Sequence, residues 1–596
     1  MAGNTIQTLR QRLADYLWLS GLPAMLGWAV LMGGLGALAT IGFHEGMRFI
    51  QNLVTGQSGS IVGVTEGLPW YGRLLFPTFG GLIAGTLLWM AAKTKTESNA
   101  DYMEAVAIGD GRLSIGQGLL RSLSSLCTVA SGGSIGREGA MVHLGALGAS
   151  AVGRFMQFST TRLRLLVACG AAAGVASAYG APVAGALFVA EIVLGTMSMQ
   201  SFGPLLVAAA SANIVMRMSG HYQTSYPMAG MPDLPGIEVL PFVVMGIVSG
   251  LTAPLFLKFL DFSRNRFKGT GLPLPARLAL GGFLLGLLLI IMPQVAGNGY
   301  SVVNSLLHTQ WAWYAVIAVL MCKVFATALT VGSGAVGGVF TPALFVGAAI
   351  GTLFGQIVAF FWPAISAPVY MFTLVGMGSF LGAATSAPFM AILMIFEMTL
   401  AYPIVLPLLP ACVVAYFVSR AVAQVAMYDV TMVRDRDLQL RQRLRQTRLA
   451  ELLRPAETVV HTSAPIKDAL QMFLDYPVKY LYVVDDSNVY QGVIAQQDLT
   501  SLLLGQSEIQ HKCAGDVLRR DFVKTLHPDM TLDQAQDYFL QFQGERLPVV
   551  SRDEHPLLLG VVYKSALLEK YSALKKSLDA SGEAMFDLKV VRRPHK

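Results

Sequence analysis

Apolar stretches recur along the first 430 residues, at 23–43, 73–92, 164–195, 238–258, 276–296, 312–332, 343–362, 369–398 and 403–427. Each is close to the roughly 20 apolar residues that a helix needs to cross a bilayer. The pattern therefore predicts a polytopic α-helical membrane part. Many of the runs contain Gly, Pro and Ser, which predicts helices that are broken, tilted or packed at close range. After residue 430 the pattern changes. A strand-like YLYVVDD (480–486) precedes GVIAQQDLTSLLL (492–504), and RLPVVSRD (546–553) precedes GVVYKSALLEKY (560–571). The preceding segments also correspond, PIKDALQMF (465–473) to TLDQAQDYF (531–539). A duplicated helix–strand–strand–helix unit is the simplest reading of this α/β tail.

Composition supports that division. The chain is 54% hydrophobic and 13% charged, about half the charged fraction usual in soluble domains. Its mean hydropathy is +0.55. The start, MAGNTIQTLRQRLADYLW, is polar and basic, and the apolar run behind it is too long for a signal core, so no cleaved signal is expected. The net charge of +7 is unevenly spread, with seven arginines in 434–454 directly after the last apolar run. The positive-inside rule puts this end in the cytoplasm of a cell inner (plasma) membrane. The stretch reads as a solvated amphipathic linker helix able to meet anionic lipid. No folded basic face with aromatics suggests nucleic acid as a partner. Cys127, Cys169, Cys322, Cys412 and Cys513 show no metal spacing, so no metal site and no disulfide framework are expected. The expected organisation is a cytoplasmic segment 1–22, a transport domain 23–430, a basic linker helix 431–454, repeat units 455–506 and 514–575, and a tail 576–596.

The membrane part is itself duplicated. SGGSIGREGAMVHLG (131–145) aligns with SGAVGGVFTPALFVG (333–347), and APVAGALFVAE (181–191) with APFMAILMIFE (387–397). In duplicated transporters the site sits between the repeats on discontinuous helices. Both members of the first pair deliver a Gly-rich loop to the start of an apolar helix. The first N–H groups of a helix lack intrahelical acceptors and carry the positive end of its dipole. Two such ends facing each other form an anion site without a buried lysine, and a weak one suits conduction. Arg137 and Glu138 stand inside this motif, and charges at bilayer depth mark function. The Glu138 carboxylate is itself an anion, able to take the place of a permeating one and to release it on protonation or on swinging out. The plainer alternative is a structural Arg137–Glu138 ion pair. Lys258, Lys323 and Arg217 read as snorkelling or helix-end residues. His143, five residues past Glu138, does not share its helical face closely.

These motifs resemble those of the CLC family of chloride channels and proton-coupled chloride transporters. GREGA (136–140) is similar to that family's GREGP motif, GGVFTP (337–342) to its GGxFxP motif, and AYPIVLPLL through AMYDV (401–430) to its last membrane helices. DYMEA (101–105) and GREGAM resemble the bacterial ClcB-type branch, and the tail resembles a tandem CBS pair. The resemblance implies that Glu138 is the gating glutamate and that Gly136, Arg137, Gly139 and Gly338 build the anion site. It also implies that Val339 and Phe340 offer backbone N–H groups and that the Tyr428 hydroxyl closes the inner side. The family forms homodimers with one pathway per subunit. Chloride is then the substrate, the lipid bilayer the surroundings, and no cofactor is required.

Three departures bear on this. Ala140 replaces the usual proline. The family's Gly-Ser-Gly-Ile-Pro loop is missing, and Ser98 and Asn99 in TESNADYMEAV are the candidates for its side-chain contact. Ile192 occupies the position where proton-exchanging members carry a relay glutamate. Isoleucine carries no proton, which predicts channel-like or weakly proton-coupled movement. Glu191, one residue earlier, is either a substitute relay or, with Glu397, a structural acceptor near a helix end. In the tail, Asp498 stands where CBS pairs contact an adenine nucleotide ribose, while Ala566 fills the matching place, so at most one nucleotide site is expected. A proton/chloride antiporter is the alternative within the class. A CBS-regulated cation transporter would need more membrane acids, and an enzyme would need a nucleophile, metal or phosphate motif that the chain lacks.

Overall fold

The computed structural model describes residues 22–584, apart from 57–58, 95–100, 108, 223–224, 229, 233, 235, 424, 429–439, 441–442, 504–511 and 543. The chain separates into two compact units, Met1–Met432 and Val433–Lys596.

The regular elements of the first unit are all helices among its described residues. Its helices are α1 Leu22–Thr55, α2 Ile61–Gly67, α3 Trp70–Lys93, α4 Tyr102–Ala107, α5 Ile115–Ala130, α6 Glu138–Phe155, α7 Thr160–Tyr179 and α8 Pro182–Leu187. A π-helical turn, Phe188–Leu194, continues α8. There follow α9 Met199–Met218, α10 Leu240–Lys268, α11 Leu274–Ile291, α12 Tyr300–His308, α13 Trp313–Gly332, α14 Phe340–Phe361, α15 Val369–Thr385, α16 Pro388–Thr399 and α17 Val405–Val422. Nine helices among the described residues are long and apolar enough to span a membrane. Eight of them fall on apolar runs of the sequence. Run 164–195 breaks after α7, run 369–398 breaks into two shorter helices, and α9 is long and apolar enough without having stood out as a run.

Both breaks have one design. Gly180 and Ser386 take the left-handed conformation at the helix end, a non-helical alanine follows, and Pro182 and Pro388 open the next helix. Proline has no N–H to donate and so suits a helix start. The short α8 and α16 leave free N-terminal amides inside the unit. Glu397 at the end of α16 accepts from Val183 N (3.1 Å) and Ala184 N (2.8 Å) of α8. Glu191, after α8, accepts from Met390 N (2.9 Å) of α16. Each half thus caps the broken helix of the other, and both glutamates act as structural acceptors.

The duplication extends to packing. At the α6–α7 crossing a Cβ on Gly145 would lie 2.5 Å from Gly170 O, and one on Gly170 2.4 Å from Gly145 O. At the α14–α15 crossing the distances for Gly347 and Gly376 are 2.5 and 2.4 Å. With no hydrophobic drive between helices in lipid, such close approach is how they adhere. One buried apolar cluster runs through both halves, from Trp28 on α1 to Ala415 on α17.

Lys323 departs from the snorkelling expectation. It is fully buried on α13, and its ammonium donates to Val295 O (3.0 Å) and Gly297 O (2.6 Å) beyond the end of α11. Bonding to these carbonyls offsets the cost of burying the charge.

In the second unit β1 Val459–His461 lies parallel to β2 Tyr480–Val484, which pairs antiparallel with β3 Tyr490–Ala495, and β4 Arg546–Val550 pairs antiparallel with β5 Leu558–Tyr563. Helices α18 Ile466–Asp475 and α19 Gln496–Leu503 flank the first hairpin, and α20 Leu532–Leu540 and α21 Lys564–Ala584 the second. The order is the helix–strand–strand–helix repeat. The basic stretch differs from the linker helix the sequence predicts. Its residues 431–439 and 441–442 lie outside those described, 443–446 are helical, and Leu449–Leu452 form a 3-10 turn. Arg454 then exchanges backbone hydrogen bonds with Val561 of β5 (3.0 and 2.8 Å), so the segment's end belongs to the repeat fold.

Candidate functional site

The two Gly-rich loops meet in the middle of the first unit. Gly132 and Gly334 open them in the left-handed region (φ 93° and 101°), a conformation glycine adopts without strain. Further on, Gly136 N donates to Gly338 O (2.7 Å) and Gly338 N to Gly136 O (3.0 Å), an antiparallel bridge between equivalent positions of the halves. Ser134 fastens the first loop to α13 through its amide on Thr330 Oγ1 (3.2 Å) and its hydroxyl on Thr327 Oγ1 (3.1 Å). Helices α6 and α14 start directly after the bridge.

Glu138, 6% exposed, is the first residue of α6, but its carboxylate serves the other helix. Its Oε1 accepts from Thr341 N (3.0 Å), in the first turn of α14. The glycines of the bridge form the seat. A Cβ on Gly136 would fall 1.8 Å from Oε1, and one on Gly338 2.8 Å away. Tyr179 at the end of α7 holds the same turn of α14, its hydroxyl 3.1 Å from Thr341 Oγ1. Arg137 forms no ion pair with Glu138. Its side chain lines a neighbouring cavity while the carboxylate turns to the amide. The negative group therefore sits on the positive end of the second-half helix, where a mobile anion would otherwise be drawn.

Two cavities meet at this seat. The first, about 290 Å³, is lined by Arg137, His44, Arg48, Tyr226, Tyr300 and Thr341 among others. The second, about 450 Å³, is lined by Gly139, Val339, Phe340, His143, Tyr102 and Tyr428 among others. Glu138 and Tyr179 line both. Aromatic rings form the wall of the second cavity near the seat: Phe340 lies 5.1 Å from Tyr179 and 6.2 Å from Phe188, and Phe188 lies 5.7 Å edge-on from Tyr428. Met427 N bonds Ala384 O (2.9 Å), which anchors the strand of chain carrying Tyr428.

Gly136, Arg137, Glu138, Gly139, Gly338, Val339, Phe340 and Tyr428 thus converge on one seat and its two cavities. Ser98 and Asn99 lie outside the described residues. Ile192 is fully buried in the apolar cluster, and Glu191 caps α16. Asp498 pairs with Arg519 at the edge of the first tail repeat. The pattern reading missed Tyr179 and Thr341. Thr341 follows Phe340 within GGVFTP, so the motif could have pointed to it; no local signal marks Tyr179.

Residues 79–420 match the family described as voltage gated chloride channel, and 449–505 and 514–573 match the CBS domain. The fold and site define a duplicated membrane transport protein for anions, and the chain belongs to the CLC family, whose work is chloride transport and not enzymatic catalysis. A ClcB-like chloride channel protein of Ralstonia nicotianae is 50% identical over 422 residues, 70% of this chain and 98% of its own length. The voltage-gated ClC-type chloride channel ClcB of Salmonella typhimurium is 42% identical over 406 residues, 67% of this chain and 97% of its own. Among solved structures, a slow cyanobacterial Cl⁻/H⁺ antiporter has a TM-score of 0.61 at 23% identity, covering 69% of this chain and 97% of its own. A eukaryotic CLC transporter has a TM-score of 0.55 at 18% identity and covers 91% of this chain and 97% of its own. These two likenesses concern the fold.

Proposed function

We propose that chloride passes between the two cavities through the seat now held by the Glu138 carboxylate, and that Glu138 is the gate. One observation carries this reading: Glu138 lines both cavities while its Oε1 occupies a helix N-terminus at 3.0 Å. Withdrawn or neutralised, the carboxylate releases that amide to an incoming anion. Val339 and Phe340 present the neighbouring N–H groups, and Tyr428 bounds the path in the second cavity. Arg137 attracts anions into the first. Movement is channel-like or weakly proton-coupled, because buried Ile192 carries no proton. The alternative, a tightly coupled proton/chloride antiporter, draws support from the antiporter described for the cyanobacterial neighbour.

The protein works as a homodimer in the cell inner membrane, and the arginines of 434–454 support a cytoplasmic side for the CBS pair. An adenine nucleotide, if bound, meets Asp498. The test is chloride efflux from liposomes, with and without a proton ionophore, for wild type and Glu138→Gln. Fast wild-type efflux needing no proton movement, made pH-independent in Glu138→Gln, supports the reading. No anion flux in either protein overturns it.

A further inference from the structure

The second cavity also holds polar groups outside the carboxylate seat. His143, on α6, presses its ring toward α5. A Cβ on Gly118 would lie 3.0 Å from His143 Nε2, so the missing side chain of Gly118 makes room for the imidazole. That Nε2 is buried and has no hydrogen-bond partner. One helical turn along α5, Ser122 Oγ is also buried without a partner. Both residues line the cavity that Glu138 lines. Buried polar atoms normally find a protein or water partner, and two orphans on facing helices point to water between them. At about 450 Å³ the cavity has space for a chain of waters, since each takes roughly 30 Å³.

We propose that His143, supported by Ser122, is the proton-relay residue that serves Glu138 from the second cavity, in place of the carboxylate that Ile192 excludes. The proposal rests on the reading of Glu138 as the gate. The step balances as a proton transfer. A hydronium from the bulk on that side protonates the imidazole and leaves water. The imidazolium then passes a proton along the cavity water to the Glu138 carboxylate, giving neutral imidazole and a neutral carboxyl. The neutral carboxyl lets go of the Thr341 amide. The groups facing His143 are Asp101 and Tyr102 at α4, Arg121 on α5 and, across the cavity, Glu138, Tyr428 and Arg264. Asp101 accepts from Met103 N (3.0 Å), the arginines are donors only, and an imidazole can take up a proton at a ring nitrogen and give it back.

The experiment uses the full chain in liposomes of phosphatidylethanolamine and phosphatidylglycerol under a chloride gradient, with chloride efflux and external pH recorded together. Wild type is expected to move protons weakly but measurably against chloride. His143→Gln should lower the number of protons moved per chloride at least tenfold, and Ser122→Ala should lower that ratio severalfold. Wild-type proton movement in His143→Gln overturns the proposal, and so does a wild type that passes chloride with no proton movement at all. If His143→Gln does not yield folded protein, full proton movement in Ser122→Ala together with His143→Asn overturns it. Loss of chloride flux in wild type would sink the gate reading instead, so the two failures are distinguishable.

Discussion

The seat of Glu138 can be removed without touching Glu138. A Cβ on Gly136 would have its three nearest contacts all on that side chain, at 1.8, 2.3 and 2.4 Å. A Cβ on Gly338 would also meet only Glu138 among its three nearest atoms, the closest at 2.8 Å. Neither glycine has a positive φ, so alanine strains no backbone. The carboxylate is the flexible partner and must give way, fully in Gly136→Ala and partly in Gly338→Ala. What it loses is an amide-to-carboxylate hydrogen bond, about 1.5–3 kcal/mol. That shifts the ratio of seated to unseated carboxylate by about 10- to 150-fold. In wild type, chloride efflux from liposomes should rise as pH falls, because protonation of Glu138 vacates the seat. Gly136→Ala should be fast at neutral pH with a flat pH profile, close to Glu138→Gln, and Gly338→Ala should fall between. Gly148→Ala on the same helix is the control, since nothing lies within 4 Å of its Cβ. A folded Gly136→Ala with the wild-type rate and pH profile would refute the idea that the seated carboxylate blocks the path.

Lys323→Met leaves the carbonyls of Val295 and Gly297 unbonded, about 1–3 kcal/mol each. The thermal midpoint of the detergent-solubilised protein should drop clearly, and an unchanged midpoint would show that the buried ammonium does not hold this loop. Gly170→Val and Gly376→Val press a side chain into the facing carbonyls, an overpacking of about 1–3 kcal/mol or more. Both should destabilise by similar amounts, measured by fluorescence-detected size exclusion after heating, and a tolerated valine at either crossing would contradict the close approach. Glu397→Ala removes the acceptor of two amides of α8 and should cost more thermal stability than Glu397→Gln, which keeps a carbonyl oxygen; equal midpoints would count against the cap. In the tail, AMP or ATP should raise the midpoint of the full chain, and Asp498→Ala should abolish the shift; a nucleotide shift that survives Asp498→Ala would remove Asp498 from the contact.

The membrane unit was legible because lipid demands long apolar helices whatever the fold, and because the Gly-rich motif recurs 202 residues later. The tail was legible through its alternating strands and their repetition. Helices α5, α6 and α9 did not stand out as apolar runs. Ser, Gly and Ala there face other helices, so their burial comes from close packing and not from side-chain hydrophobicity. The breaks at Ala181 and Ala387 were also hidden, since an Ala-Pro step barely interrupts a hydropathy profile. Lys323 looked like a helix-end lysine because sequence carries no record of which carbonyls a side chain will reach.

The residue types were readable in the chain: a carboxylate beside glycines at a helix start, and a matching glycine loop in the second half. Which helix the carboxylate serves was not, because that depends on how the halves pack. Glu138 begins α6, yet its acceptor atoms lie on the amide of Thr341, more than 200 residues away in the chain. The pairing of Gly136 with Gly338 puts it there, and the caps that Glu191 and Glu397 supply likewise cross between the halves. Such contacts arise when two repeats pack face to face and satisfy each other's open helix ends. Local preference fixes each helix end, but the partner that closes it is chosen by the fold.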